Sequence, residues 1–258
     1  MPDTAPSHYK VIPAATIIVF RRCPAGGPPQ FLMLERTHKM RFAAGAAVFP
    51  GGRVDAADRQ LAARLLPRAA DPDDAAARVA ALRETLEEAG LALGVNHTVS
   101  AGEAAAARAF LLEQGALAPV LERHGWTLDV GVLAPFARWC PDWDGAFDTR
   151  FYLADLGTGA VDLAVDATEN SHLFWSSAAE TIAQADRGEL SILFPTRRNL
   201  ERLARFADFA EACAECAAIP PAIITPYKEE RDGVVHLVIP EGLGYPVTSQ
   251  PVDTVQRG

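Results

Sequence analysis

Three glutamates and an arginine, all within six residues, carry the chemistry most worth following in this sequence. Residues 79–91 read VAALRETLEEAGL. On a helix turning about 100° per residue, Val79, Leu82 and Leu86 share an arc of about 60°. Glu84, Glu87 and Glu88 fall on a different arc of about 100°, with Arg83 at its flank. Like charges at i, i+3 and i+4 repel, and cost a helix roughly a few tenths of a kcal/mol. A divalent cation reverses the sign of that contribution. Hard oxygen donors on a rigid face suit Mg²⁺ or Mn²⁺, with positions left for water and phosphate oxygens. A bare E-x-x-E-E is also what a solvated acidic face looks like, so the surroundings have to decide.

Such a cluster needs a helix and a sheet to hold it. Asp71 is placed to cap a helix over 72–89, Pro72 fits its first position and Gly90 stops it. Upstream, the apolar runs 14–20 and 31–34 flank a Pro- and Gly-rich stretch, which predicts two strands in a hairpin. A short strand over 46–49 ends at Pro50-Gly51-Gly52, where two glycines let a ligand approach the backbone closely. Leu61, Leu65 and Leu66 stand at helical spacing and predict a small helix over 59–70, covering the site. Residues 102–124 read as helical and Ala-rich, and 133–139, 150–153 and 172–175 predict strands. Helices over 177–187 and 196–217 follow. Thr196, beside Arg197 and Arg198, reads either as the cap of an anion site or as an exposed helix start. The tail predicts a hairpin of 223–227 with 234–239, turning at Arg231-Asp232-Gly233. Strands mixed with helices, without a regular βαβ rhythm, point to an α/β sandwich around a mixed sheet.

Composition narrows the function. With 258 residues, 49% of them hydrophobic, the chain is long enough to bury a full core. No apolar run reaches the roughly 18 residues that span a bilayer, and the first ten residues do not read as a signal peptide. A soluble, cytoplasmic protein is expected. A net charge of -9 argues against a nucleic-acid surface. It leaves an anionic small molecule open, because cations held by carboxylates invert the local charge. Cys213 and Cys216 form a C-x-x-C within a predicted helix, with no second pair at zinc spacing, so free thiols are expected. The sequence holds no G-x-S-x-G, no P-loop and no paired-histidine metal helix.

The run R-E-x-x-E-E-x-G-L from Arg83 to Leu91 resembles the second half of the box of the Nudix hydrolases, G-x5-E-x7-R-E-U-x-E-E-x-G-U with U aliphatic. The match falls on Arg83, Glu84, Leu86, Glu87, Glu88, Gly90 and Leu91. The first half is interrupted. Counting forward from Gly52, its glutamate position is Asp58, and 24 residues then separate it from Arg83 instead of seven. Counting back from Arg83, it is Ala75, beside Asp73 and Asp74. Upstream, Arg36, Arg41, Gly45 and Phe49-Pro50-Gly51-Gly52 resemble the signature R-[S/A]-x3-R-x3-G-x3-F-P-G-G of coenzyme A diphosphatases, with Thr37 departing from it. The interrupted box is similar to that of a peroxisomal branch of those enzymes. The last residues here are Val255-Gln256-Arg257-Gly258, not a peroxisomal address.

The resemblance implies an α/β/α sandwich around a mixed β-sheet, with a helical insertion and a C-terminal helix plus hairpin. It implies one Nudix domain over 10–217, with insertions at about 59–75 and 100–125, and an extension over 218–258. Glu84, Glu87, Glu88 and the Gly51 carbonyl are then the ligands of Mg²⁺ or Mn²⁺, with Arg83 orienting the carboxylates. Arg36, Lys39, Arg41, Gly51 and Gly52 line the diphosphate, where guanidinium forks pair well with phosphate oxygens. Glu169, ahead of Trp175, becomes a further ligand or the general base, a role equally open to Glu84 and Glu87. The implied reaction is metal-dependent cleavage of a small-molecule nucleoside diphosphate. Coenzyme A or an acyl-CoA is the first choice, giving 3′,5′-ADP and a 4′-phosphopantetheine. ADP-ribose, a dinucleotide and a non-catalytic binding module are the alternatives. Many relatives pair as homodimers.

Overall fold

In a computed structural model that describes residues 9–37, 45–157 and 170–255, the first β-rich run forms the central strand, β1 (Ile12–Arg21). It is followed by β2 (Gln30–Arg36), β3 (Ala47–Val48), β4 (Gly51–Arg53), α1 (Ala56–Leu65) and α2 (Pro72–Ala89). Next come α3 (Ala101–Gln114), α4 (Leu117–His124), β5 (Ala134–Trp139), β6 (Phe147–Asp155) and β7 (Asn170–Ser177). Three helices, α5 (Ala178–Asp186), α6 (Phe194–Leu203) and α7 (Phe209–Ala218), lead to β8 (Ile223–Ile224). The hairpin strands β9 (Tyr227–Arg231) and β10 (Val234–Val238) and a short β11 (Ser249–Pro251) follow.

β1 pairs along its length with parallel β6. Its other edge is shared by two antiparallel partners: Phe20 faces Phe31 of β2, while Thr16 and Ala15 face Gly51 and Gly52 of β4. β7 extends the sheet beyond β2, and β5 and β8 extend it beyond β6. The sheet is therefore mixed, and it is covered on both faces. Ala15, Ile17 and Val19 pack with Val79, Leu82 and Leu86 of α2. On the other side Ile18 and Phe20 share a core with Phe136, Trp139, Leu200 and Leu203. A strand buried on both faces reads as a continuous apolar run rather than an alternation, which is what IPAATIIVF is. The α/β/α sandwich is as expected.

α2 has the expected ends: Asp71 accepts a hydrogen bond from the Asp74 N–H, and Gly90 closes the helix at φ 71°. Its start is tied over β6, where Arg150 Nη1 reaches Asp71 at 3.0 Å and the Tyr152 hydroxyl donates to Asp74 at 2.8 Å. Burial differs from a simple two-faced pattern, because Arg83 and Glu88 are buried along with the apolar side chains.

Several expectations need correction. The helical stretch over 102–124 is two helices, α3 and α4, broken at Gly115, whose φ is 65°. The predicted 196–217 helix is also two, with Asp208 capping the second. α6 begins at Phe194, so Thr196 lies inside it, buried, and caps nothing. Ile223 and Ile224 leave the predicted hairpin and add to the main sheet beside β5. The hairpin is β9 with β10, and it does turn at Asp232-Gly233, both at positive φ, as a tight two-residue turn requires. The helix predicted over 59–70 is α1, four residues or so earlier, with Leu61 buried but Leu65 and Leu66 exposed. All four cysteines are free thiols. Among the described residues no helix is long and apolar enough to cross a membrane.

Candidate active site

The C-terminal half of α2 lies against β4, and the two glycines there do different jobs. The Gly51 N–H donates to Glu88 Oε2 at 2.8 Å. A Cβ on Gly51 would fall 2.3 Å from the Ala15 carbonyl oxygen and 2.7 Å from Thr16 Cα, so its bareness lets β4 close on β1. A Cβ on Gly52 would instead fall 2.3 Å from Glu84 Oε1. Gly52 is bare to make room for a carboxylate.

Arg83 braces the cluster from behind. Its Nε and Nη2 donate to the two oxygens of Asp58 at 2.9 and 3.1 Å, and Nη2 also donates to the Arg53 carbonyl at 3.0 Å. Its Nη1 lies 2.9 Å from Glu84 Oε1 and 3.3 Å from Glu87 Oε2. The guanidinium is saturated, so it orients carboxylates and has no nitrogen to spare for a ligand. Asp58, fully buried in the first turn of α1, also accepts from the Asp55 N–H at 2.9 Å. Of the acids that spacing offers, Asp58 is the one that meets Arg83. Asp58 holds Arg83, whereas Asp73 pairs with Arg59, and Asp74 with Arg78, Arg150 and Tyr152. The chain leaves for the insertion after Asp58 and returns at α2 to meet it.

Burial sets the electrostatics. Desolvation, opposed by Arg83 but reinforced by the neighbouring Glu87, pushes the Glu84 carboxyl up to about 7. Burial works against the charge of Arg83 as well, but Asp58, Glu84 and Asp55 outweigh it and hold its proton more tightly than usual. A carboxylate this desolvated is stabilised by any cation that reaches it.

Among the described residues, no three acidic, histidine or cysteine side chains are already gathered as ligands of an ion. Glu84 and Glu87 lean on Arg83, and Glu88 on Gly51. The donor chemistry fits a hard divalent ion all the same. Carboxylate oxygens stand on adjacent turns of one rigid helix, and the bare Gly52 lets the Glu84 carboxylate sit against the backbone of β4.

The structure thus brings together Glu84, Glu87, Glu88, Arg83, Gly51 and Gly52. Arg36 ends β2, exchanging backbone hydrogen bonds with Gly45 and Ala46, and its Nε is buried without a partner. Lys39, Arg41 and Glu169 lie outside the described residues. One contributor carried no sequence signal: Arg108 of α3 donates to the Glu87 carbonyl at 2.7 Å and closes the end of the carboxylate helix.

No protein-family model matches the chain. It is 27% identical to the acyl-coenzyme A diphosphatase NUDT19 of Gallus gallus over 245 residues, covering 72% of this chain. The chain spans 65% of the length of that relative. Among solved structures, a Nudix hydrolase from Alicyclobacillus acidocaldarius superposes with a TM-score of 0.68 at 29% identity, covering 80% of this chain and 97% of its own. In its carboxylate box and its fold the chain is similar to the Nudix hydrolases, the acyl-coenzyme A diphosphatase among them.

Proposed function

We propose that the chain is a divalent-cation-dependent pyrophosphohydrolase that cleaves coenzyme A or an acyl-CoA to 3′,5′-ADP and the corresponding 4′-phosphopantetheine, in the cytoplasm. The observation that carries the chemistry is the seating of Glu84 and Glu88 on Gly52 and Gly51, with Arg83 locked behind them by Asp58. The substrate choice is supported by the Arg36–Arg41–Gly45–FPGG signature, the interrupted box and the acyl-coenzyme A diphosphatase relative.

Glu84, Glu87, Glu88 and the Gly51 carbonyl would hold Mg²⁺ or Mn²⁺. Such an ion neutralises the diphosphate and lowers the pKa of water. The chain's own part is positional. Arg83 keeps Glu84 and Glu87 from springing apart, and the Gly51 N–H fixes Glu88. Arg36, Lys39 and Arg41 supply positive charge for the phosphates. The proton lost by the attacking water goes to a carboxylate of this cluster or to Glu169.

The test is a hydrolysis panel of coenzyme A, an acyl-CoA, ADP-ribose and NADH with Mn²⁺ or Mg²⁺. Release of 3′,5′-ADP from the CoA compounds is expected. Cleavage of ADP-ribose or NADH alone would move the protein to another nucleoside diphosphate, and inactivity throughout would favour a binding module.

The glycine pair offers a second check. In Gly52→Ala the new methyl meets the carboxylate end of the Glu84 side chain rather than main chain, so folding should be largely spared while hydrolysis falls about 10–100-fold. In Gly51→Ala the methyl meets main chain, so stability itself should drop, by roughly 1–3 kcal/mol. Urea unfolding and kcat/KM measured side by side separate the two. Equal destabilisation by both would mean that Gly52 serves packing and not Glu84.

A further inference from the structure

A cavity of about 510 Å³ lies far along the chain from α2, between the start of α6 and the segment that carries β11. Arg197, Arg198 and Glu201 line it from the helix, and Ser249, Gln250 and Thr254 from the other side. Its charges are poorly partnered for buried groups. Arg198, with 2% of its side chain exposed, donates from Nη2 to Glu201 Oε1 at 2.8 Å and to Gln250 Oε1 at 3.3 Å. Its Nη1 reaches the Ser249 carbonyl only at 3.5 Å. Arg198 Nε has no partner, and neither has Glu201 Oε2, although both atoms are buried. Meanwhile Arg197 Nε shares the already engaged Glu201 Oε1 at 3.2 Å, and its Nη2 turns out to the exposed Asp186. One carboxylate oxygen serves two guanidiniums while the other serves none.

The helix sharpens the misfit. α6 starts at Phe194 with no side-chain cap, and Arg197 and Arg198 sit in its first turn and a half. There the positive end of the helix dipole disfavours cations and favours an anion. Burial loosens the Arg198 proton and tightens that of Glu201, so both groups are held in the less comfortable form.

An unpartnered donor on Arg198 and an unpartnered acceptor on Glu201, two residues that line the same cavity, call for a ligand with complementary groups. We propose that this cavity binds monohydrogen phosphate, its ionised oxygens meeting Arg198 and Arg197 and its P–OH donating to Glu201 Oε2. Sulfate has the same shape and charge but no proton to give, so Glu201 would reject it. A phosphomonoester keeps its last P–OH only below about pH 6, whereas inorganic phosphate keeps one throughout the neutral range. The site is independent of the carboxylate helix and stands whatever that helix does.

The experiment is calorimetric titration of the whole protein with inorganic phosphate, sulfate and glycerol phosphate at matched ionic strength. Saturable binding of phosphate, roughly tenfold or more tighter than sulfate, is expected. Glycerol phosphate should bind at pH 5.5 and weaken by pH 7.5, while inorganic phosphate holds. Binding of the ester undiminished at pH 7.5 would overturn the donated proton. Glu201→Gln, whose amide can donate, should bring sulfate level with phosphate. Arg198→Met should abolish binding. Should that variant not fold, Arg197→Ala at the cavity mouth should still weaken it. Equal affinity for phosphate and sulfate in the unaltered protein, or no saturable binding, would overturn the proposal. So would phosphate binding that ignores both Glu201→Gln and Arg197→Ala, which would place it elsewhere on the chain.

Discussion

Glu88→Gln is expected to remove nearly all hydrolysis while leaving the protein as stable as before. Glutamine matches glutamate in size, and its oxygen can still accept the Gly51 N–H that Glu88 receives at 2.8 Å. Only the charge is lost, at a residue 3% exposed, where a charge is costly to keep. What disappears is a ligand for the cation. If that cation contributes several kcal/mol of charge stabilisation, kcat should fall on the order of 10³-fold or more. Glu84→Gln should behave alike, since Glu84 is turned onto Gly52 with only 14% of its side chain exposed. Glu87→Gln should matter less, because the Glu87 side chain is 31% exposed and leans on Arg83 rather than on the glycines. Rates and Mn²⁺ titrations for the three variants give the ranking directly. A larger loss from Glu87→Gln than from Glu88→Gln would show that the glycine-facing pair are not the principal ligands.

How much of this site could be read in the sequence depends on distance along the chain. The carboxylate helix was legible because everything that defines it is local: Asp71 and Pro72 start it, Gly90 ends it, and the glutamates recur at i, i+3 and i+4. The same periodicity could not reveal that the acidic face is covered. β4 and α1 do the covering, and their contacts arrive from 25 to 37 residues upstream in ways no repeat encodes. Asp58 illustrates the limit. Spacing alone nominated Asp58 and the neighbours Asp73 and Asp74, and only the return of the chain after α1 brings the first of them to Arg83. The Ala-rich stretch over 102–124 left the place of its helix break unmarked for a different reason. A single glycine costs a helix only about 1 kcal/mol, so a pattern reads through Gly115, whereas the fold turns there at φ 65°. Ile223 and Ile224 were recognisably strand residues, but a parallel partner such as β5 leaves no mark on the strand that joins it.

Asp58→Ala should be the most damaging single substitution to stability near the site. Arg83 and Asp58 are 5% and 1% exposed, and their fork of two hydrogen bonds is the only bidentate contact Arg83 makes with an acid among the described residues. Removing the acid takes the bidentate partner from a buried guanidinium and leaves its Nε unsatisfied, which costs about 3 kcal/mol, or roughly 10 °C in unfolding midpoint for a chain of this size. The first turn of α1 suffers too, because the Asp55 N–H loses its acceptor. Function should fall with it: without Asp58 on one side, Arg83 is drawn onto Glu84 and Glu87 and competes with the cation for their oxygens. Urea unfolding of Asp58→Ala, Arg83→Met and the double variant isolates the cause. If the loss of the guanidinium's hydrogen bonds dominates, the double variant should recover part of the stability lost by Asp58→Ala, because no under-bonded buried guanidinium remains. A double variant as unstable as Asp58→Ala alone would point to the α1 cap instead. Activity should not return in either case, since Glu84 and Glu87 would have lost the brace that holds two like charges side by side.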